Sequence, residues 1–491
     1  MIRLSYLPPL MVYAAFGIQG LIGIAGTFFV KDHLDLSPEF LAALAFWAGI
    51  PWALKMPVGH LVDLIWRWKA LLVWLGAAML AASLLIMVGL ISHTAAMREV
   101  MSANHWYVLS ALLFPTGYMI QDAVADAMTV EAVPAVDESG MAIAEAARKE
   151  MHTTMQTLGR VAVIGGLTLV ALVNLWLFHG SESLSPAEKA ALYARVYTIA
   201  LVIPVLSVSG VVLHRFLRHE VARGEKTAPN WWLLGGSAAF VALTLAVGLG
   251  GVRHAQEIIF VGSLAVILFL LWRLARELSP EARDALVGTA IVLFVYRAMP
   301  SPGAGTTWWM IDVLKFDEAF LSRLSLVVYG MTLFGMFALR RFMAVNSITR
   351  IIVILTLAGS VLQLPGIGMY YGLHEWTAAR TGGVVDARFI ALVDSALESP
   401  LGQIAMIPML AWIANSAPAN LKATYFAVMA SFSKLALAAA QLGTKYLNQG
   451  WTVKRGAYGD LGELMIVAAL IGLAVPLAAV AAVKLARLRT A

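Results

Sequence analysis

The sequence predicts an all-α polytopic membrane protein of about fourteen transmembrane helices, built as two six-helix halves with a two-helix hairpin inserted between them. Three observations carry that prediction. The 491-residue chain is 60% hydrophobic and only 13% charged, with a mean hydropathy of +0.80, whereas soluble domains carry roughly 25% charged residues. Apolar runs of about 20 residues, long enough for a bilayer core, recur from end to end. A stretch of the first half also returns, without a gap, in the second. A β-barrel would show short alternating segments instead.

In order, the spans read 8–30, 40–60, 70–92, 106–131, 153–178, 191–216, 231–251, 257–276, 285–310, 320–343, 348–372, 387–414, 420–447 and 461–486. The first runs on at full length from "MIRLSYLPPL" to "GTFFV" and carries Gln19; it does not read as a cleavable signal. The second carries Lys55 in "GIPWALKMPVGH" and is followed by "LVDLIWRWK". The fourth ends in "QDAVADAMTVE", which places Gln121, Asp122, Asp126 and Glu131 on an apolar run. The fifth carries Arg160. The ninth carries Arg297 directly before "AMPSPGAG", where two prolines and two glycines interrupt the helix and Trp308 follows. Gln403 lies in the twelfth and Lys434 in the thirteenth.

The repeat fixes how these spans are grouped. "FFVKDHLDLSPEFLAAL" from Phe28 aligns with "WWMIDVLKFDEAFLSRL" from Trp308, so that Asp32 meets Asp312, Leu34 meets Leu314, and Phe40-Leu41 meets Phe320-Leu321. That register carries spans 1–6 onto spans 9–14 and leaves spans 7–8 as the insert. The expected divisions are 1–218, 219–283 and 284–491. Two six-helix halves in parallel repeat are the plan of the major facilitator superfamily. The stretch "GHLVDLIWRWK", with Gly59, Asp63, Arg67 and Lys69, resembles that superfamily's loop motif and is read as a gate latch.

Orientation follows from the basic residues. With the N-terminus inside, the cytoplasmic loops hold Arg67, Lys69, Arg148, Lys149, Arg215, Arg218, Arg223, Lys226, Arg273, Arg276, Arg283, Arg340, Arg341 and Arg350, and the tail adds Lys484, Arg487 and Arg489. The bias is roughly two to one over the opposite loops, which places both termini in the cytoplasm and the chain in the inner or plasma membrane. The net charge of +6 suits basic loops and needs no nucleic acid.

The absence of cysteine excludes disulfides, thiolate metal sites and cysteine nucleophiles. No phosphate loop, metal-ligand cluster or Ser-His-Asp arrangement stands in the sequence, and no loop can hold a nucleotide-binding domain. The chain is therefore read as neither an ATPase nor an intramembrane enzyme, with no cofactor and no metal. It is expected to act as a monomer in the lipid bilayer.

Charge inside the membrane is the strongest functional signal. An acid at the bilayer centre costs roughly 2.5–3.5 kcal/mol, so buried acids face a cavity or a partner. Asp122 and Asp126 share one helix face, a turn apart, and are read as the proton-coupling pair, with Lys55 or Arg160 as the cation that neutralises them. Glu131 lies on the opposite side near a span end and is expected to be wet. Arg297 and Lys434, two deep cations in the other half, suggest an anionic substrate, since interrupted helices with exposed backbone mark transporter binding sites. Pairing of those cations with Asp394 and Glu398 is the open alternative. Gln19, Gln121 and Gln403 are further candidates for the substrate site, and Trp308 is a platform for a flat ring.

Four stretches resemble the folate–biopterin transporter family of the major facilitator superfamily. They are "GIQGL" with "LSPEFLAALAFWAGIPWALKMPVGHLVD", "QDAVADAMTVE", "YRAMPSPGAGTTWWMIDVLKFDEAFLSRL" and "QIAMIPMLAWIANSAPANLKATYFAVMASFSKLA". The resemblance implies uptake of an anionic folate or pterin-like molecule by proton symport, with Asp122, Asp126, Lys55 and Arg297 on matching stretches. Lys422 and the residue pattern near Lys434 depart from the family's usual acid and Asn. A muropeptide or tetrapyrrole permease of the same superfamily, or a non-transporting assembly factor, are the alternatives.

Overall fold

Several helices in this chain begin where a side chain accepts from the backbone. Asp317, Ser347 and Asp386 cap three of them, accepting from the amides of Phe320, Arg350 and Phe389, and Ser102 does the same for a fourth. In the computed structural model the described residues are 4–34, 36–53, 55–65, 68–134, 141, 143–217, 231, 235, 242–244, 246–248, 250, 252–276, 278–403, 422–488 and 490. Among them the only β pairing is an isolated bridge between Lys454 and Ala457. The architecture is all-helical.

Among the described residues, eight helical stretches are long and apolar enough to cross a membrane: Leu4–His33, Lys69–Ser92, Ala103–Thr129, Leu158–Leu177, Pro186–Leu217, Glu318–Ala338, Ile348–Tyr370 and Leu461–Leu485. The second expected span is helical in α1 (Pro38–Ala53) and α2 (Lys55–Leu64), with residue 54 outside the described residues. The ninth is α3 (Pro280–Arg297) and α4 (Ala304–Asp312), separated by the Pro/Gly segment. The eighth contributes a short apolar helix, Ala255–Phe269. Most of the seventh span, and residues 404–414 of the twelfth, lie outside the described residues.

The repeat is visible in the backbone. In the register that sets Asp32 on Asp312, Pro38 falls on Glu318, and these two residues open the helices Pro38–Ala53 and Glu318–Ala338. The breaks also correspond. The first span passes through a 3-10 turn at Ile18–Ile22 before helix Gly23–His33, and Gly23 falls on Gly303, which caps α4. The first and ninth expected spans are therefore interrupted at matching positions.

By contacts the chain divides into two units. The first holds Met1–Asp35 and Leu54–Ala239. Its helices approach closely at glycines, as apolar helices in lipid must when dispersion holds them together. A Cβ on Gly17 would stand 2.4 Å from the Val163 carbonyl oxygen, and one on Gly76 would stand 2.6 Å from that of Gly117. Ser83 and Ser110, both buried, exchange hydrogen bonds between helices Lys69–Ser92 and Ala103–Ala132.

The second unit holds Leu36–Ala53 and Phe240–Ala491. Here α1 and the helix Ala255–Ala275 pack on the long helix Lys422–Gly450. Gln256 donates to the Ala43 carbonyl at 2.9 Å, and Lys445 pairs with Glu257 at 2.9 Å. An apolar core of Trp309, Phe316, Phe320, Leu461 and Leu464 joins the other helices.

Candidate functional site

The helix Ala103–Ala132, capped by Ser102, carries Asp122 and Asp126 one turn apart. Lys55 is the first residue of α2. Its ammonium reaches both acids, lying 2.5 Å from Asp122 Oδ2 and 2.8 Å from Asp126 Oδ2. The free oxygen of Asp126 accepts from the Tyr13 phenol at 2.6 Å. Asp122 is the deeper acid, with its side chain 14% exposed against 50% for Asp126. A narrow crevice lined by Val12, Tyr13, Phe16, Tyr118, Gln121 and Asp122 opens beside it. The formal charge of Lys55, Asp122 and Asp126 together is one negative, in a setting where a net charge is costly.

Of the two cations considered for these acids, the geometry brings Lys55 onto both, while Arg160 is exposed on the helix Glu145–Leu177. Gln121 is buried and spans three helices, donating to the Val73 carbonyl at 3.2 Å and accepting from Ser207 at 3.0 Å. Gln19 lies half-buried in the 3-10 turn of the first span. Gly59 lies on α2 in open space. The Asp63 side chain, Arg67 and the Gln403 side chain lie outside the described residues.

The expectation that Glu131 is wet is corrected. Its side chain is 10% exposed and stands 2.5 Å from the Lys69 ammonium and 3.1 Å from His214 Nε2. Three helix ends meet there: the first residue of Lys69–Ser92, the last turn of Ala103–Ala132 and the last turn of Val202–Leu217. A helical wheel places Glu131 opposite Asp122 but says nothing of which neighbour covers that side.

In the second unit, residues 298–303 form the extended gap of the ninth span. Its backbone is satisfied from the helix Lys422–Gly450: the Ser301 amide donates to Thr444 Oγ1 at 3.0 Å, and Asn448 Nδ2 donates to the Pro302 carbonyl at 3.1 Å. Non-helical backbone at membrane depth requires such partners. Gly303 takes φ 81° and ψ −161°, a region only glycine occupies freely. Arg297 ends α3 at the lip of this gap, and its Nε is buried without a hydrogen-bond partner among the described residues. Within those residues it forms no ion pair with Asp394 or Glu398. Lys434 lies over the Trp52 ring at 4.6 Å. Trp308 is buried, 3% exposed.

Tyr13 and the Lys69–Glu131–His214 cluster are absent from the sequence reading. A tyrosine in an apolar first span carries no signal of its own, and Lys69 reads only as part of the loop motif that follows the second span.

Solved structures of membrane transporters share this architecture. A POT family transporter crystallised with 5-aminolevulinic acid aligns over 98% of this chain and 95% of its own, with TM-score 0.64 and 11% identity. A peptide transporter POT in complex with sulfate aligns over 99% and 95%, with TM-score 0.59 and 15% identity. The nucleoside transporter NupG aligns over 98% and 99%, with TM-score 0.58 and 12% identity. The fold is that of a multi-helix membrane transporter. The model of the BT1 family matches residues 237–489, and the chain belongs to that family. A Folate-biopterin transporter from Synechocystis sp. is 25% identical over 434 residues, spanning 87% of this chain and 71% of its own. The family expected from the four quoted stretches is thereby shown, and the protein is a multi-pass membrane transporter, not an enzyme.

Proposed function

We propose that this transporter is a proton-coupled carrier that takes up an anionic folate- or pterin-like molecule by alternating access. The observation that carries the reading is one lysine shared by two membrane-embedded acids. Two carboxylates and one ammonium keep a surplus negative charge, and a single proton removes it. A group that gains and loses one proton as its surroundings change is what couples a carrier to a proton gradient. The similarity to a Folate-biopterin transporter supports the substrate class. Arg297, at the lip of the helix gap with an unsatisfied Nε, is the residue we assign to the substrate's anionic group, with Lys434 as a second cation and Gln19, Gln121, Gln403, Arg160 and Trp308 as neighbours to be tested.

The wider arrangement belongs to the same reading. Residues 1–218 and 284–491 are two six-helix halves, and 219–283 is an inserted hairpin. Gly59, Asp63 and Arg67 form a cytoplasmic latch, both termini face the cytoplasm of the inner or plasma membrane, and the unit is a monomer. The test is uptake of radiolabelled folate and of biopterin into proteoliposomes under an imposed proton gradient. Accumulation that collapses with a protonophore supports the reading. Equal accumulation with and without the gradient overturns it.

A further inference from the structure

Tyr13 enters the acid pair from the first span and gives it an asymmetry. Its phenol donates to Asp126 Oδ1 at 2.6 Å, while Lys55 holds Oδ2 of the same carboxylate at 2.8 Å. Asp126 thus has a donor on each oxygen. Asp122 is the more buried of the two and faces the crevice. The Tyr13 ring is itself fixed: it lies against Gly159, where a Cβ would stand 3.0 Å from the ring edge, and packs with Val12 and Ala125.

When one of two carboxylates sharing a lysine is neutralised, the ammonium settles on the other. A phenol bonded to an ionised carboxylate makes a bond roughly twice as strong as to a neutral one, so Tyr13 favours the arrangement in which Asp126 is the anion. The deeper acid loses more hydration when charged, which favours its neutral form. We propose that Tyr13 divides the work of the pair: it holds Asp126 as the fixed anionic partner of Lys55, and Asp122 is the acid that takes up and gives back the proton. The inference rests on the proton-coupled reading and gives its proton one address. A proton from one side bonds to an Asp122 oxygen and Lys55 moves to Asp126; release to the other side restores the shared lysine. Tyr13 is a positioning residue and transfers nothing.

Among the described residues, the titratable groups around the pair are Tyr13 from the first span, Tyr118 of the pair's own helix, which lines the same crevice, Lys55 from α2, and the exposed Arg160 on the helix Glu145–Leu177. From the helices Lys69–Ser92 and Val202–Leu217, Lys69 and His214 are taken up by Glu131 beyond the pair.

Infrared difference spectroscopy tests this on the purified full chain in lipid, titrated from about pH 8 to about pH 4 across the ordinary carboxylate range. The readout is the C=O stretch of a protonated carboxyl. Asp122→Asn is expected to lose a band that wild type shows, and Asp126→Asn to keep it. Tyr13→Phe, which removes only the hydroxyl, is expected to turn the single step into two as Asp126 begins to take protons. Gly159→Ala, which presses on the ring and leaves the hydroxyl in place, should give the same spread in milder form and guards against a folding artefact. Bands from Asp394 and Glu398 persist in all four variants and cancel in the comparison. Loss of the band in Asp126→Asn with survival in Asp122→Asn overturns the division of labour alone, as does a Tyr13→Phe titration identical to wild type. A spectrum that neither Asn variant changes overturns the proton-coupled reading with it.

Discussion

Glu131 shows what a residue's own helix cannot reveal. Its position opposite Asp122 and close to a helix end read as solvent-facing, yet Lys69 and His214 from two other helices cover it. Removing one member of a buried ion cluster leaves the other charge uncompensated, at a cost of about 3–5 kcal/mol. Glu131→Gln should therefore lower the thermal unfolding temperature markedly in detergent, whereas the exposed Glu182→Gln should not. An unchanged unfolding temperature would mean the cluster is solvated after all. Arg297 makes the opposite case, because its depth and its place before "AMPSPGAG" were legible from the residues. Arg297→Lys should weaken folate binding by at least about tenfold, the scale of one lost bidentate contact, and as severely as Arg297→Ala. Equal affinity of Arg297→Ala and wild type, measured by calorimetry, would remove Arg297 from the substrate site. Tyr458, in the loop between the last two long helices, adds a pH signature. Burial, and then its hydrogen bond to Asp312, push its phenol from 10.0 up to about 12. A raised phenol stabilises the fold below its ordinary range and loses that contribution as pH climbs toward the raised value. The stability gap between wild type and Tyr458→Phe should hold steady to pH 10.0 and narrow above it.

At the scale of elements, the ninth span carries the argument. Prolines and glycines predicted its interruption, and the gap lies at residues 298–303. What the sequence did not disclose is how the gap is tolerated: the partners, Thr444 and Asn448, come from a helix more than a hundred residues later. Local composition announces a break, but only packing supplies the groups that satisfy it. Gly303→Ala forces a Cβ into a glycine-only conformation, at about 1–3 kcal/mol, and sets it 3.2 Å from Thr444 and 3.3 Å from Asn448. It should destabilise the protein, by thermal shift, more than Gly59→Ala, where nothing among the described residues lies within 4 Å. Equal shifts for the two variants would argue that the gap is not held as described.

For the whole molecule, the membrane and the helical class were legible from composition, since soluble domains carry roughly 25% charged residues and this chain only 13%. The repeated stretch was legible because its shared polar positions recur in one register, and in that register the breaks of the first and ninth expected spans fall at matching positions. Sidedness rests on the basic loops. Reporter fusions after Gly224 should read cytoplasmic and fusions after Arg253 external; a cytoplasmic signal at Arg253 would remove the inserted hairpin. The central claim is coupling, and substrate-driven proton movement tests it most directly. Folate is added outside proteoliposomes that contain a trapped pH-sensitive dye, with no pH gradient imposed. The account predicts that the lumen of wild-type vesicles acidifies as folate enters. In Asp122→Asn vesicles it should not, although exchange of labelled for unlabelled folate continues. Folate entry into wild-type vesicles with no change in lumenal pH would contradict it.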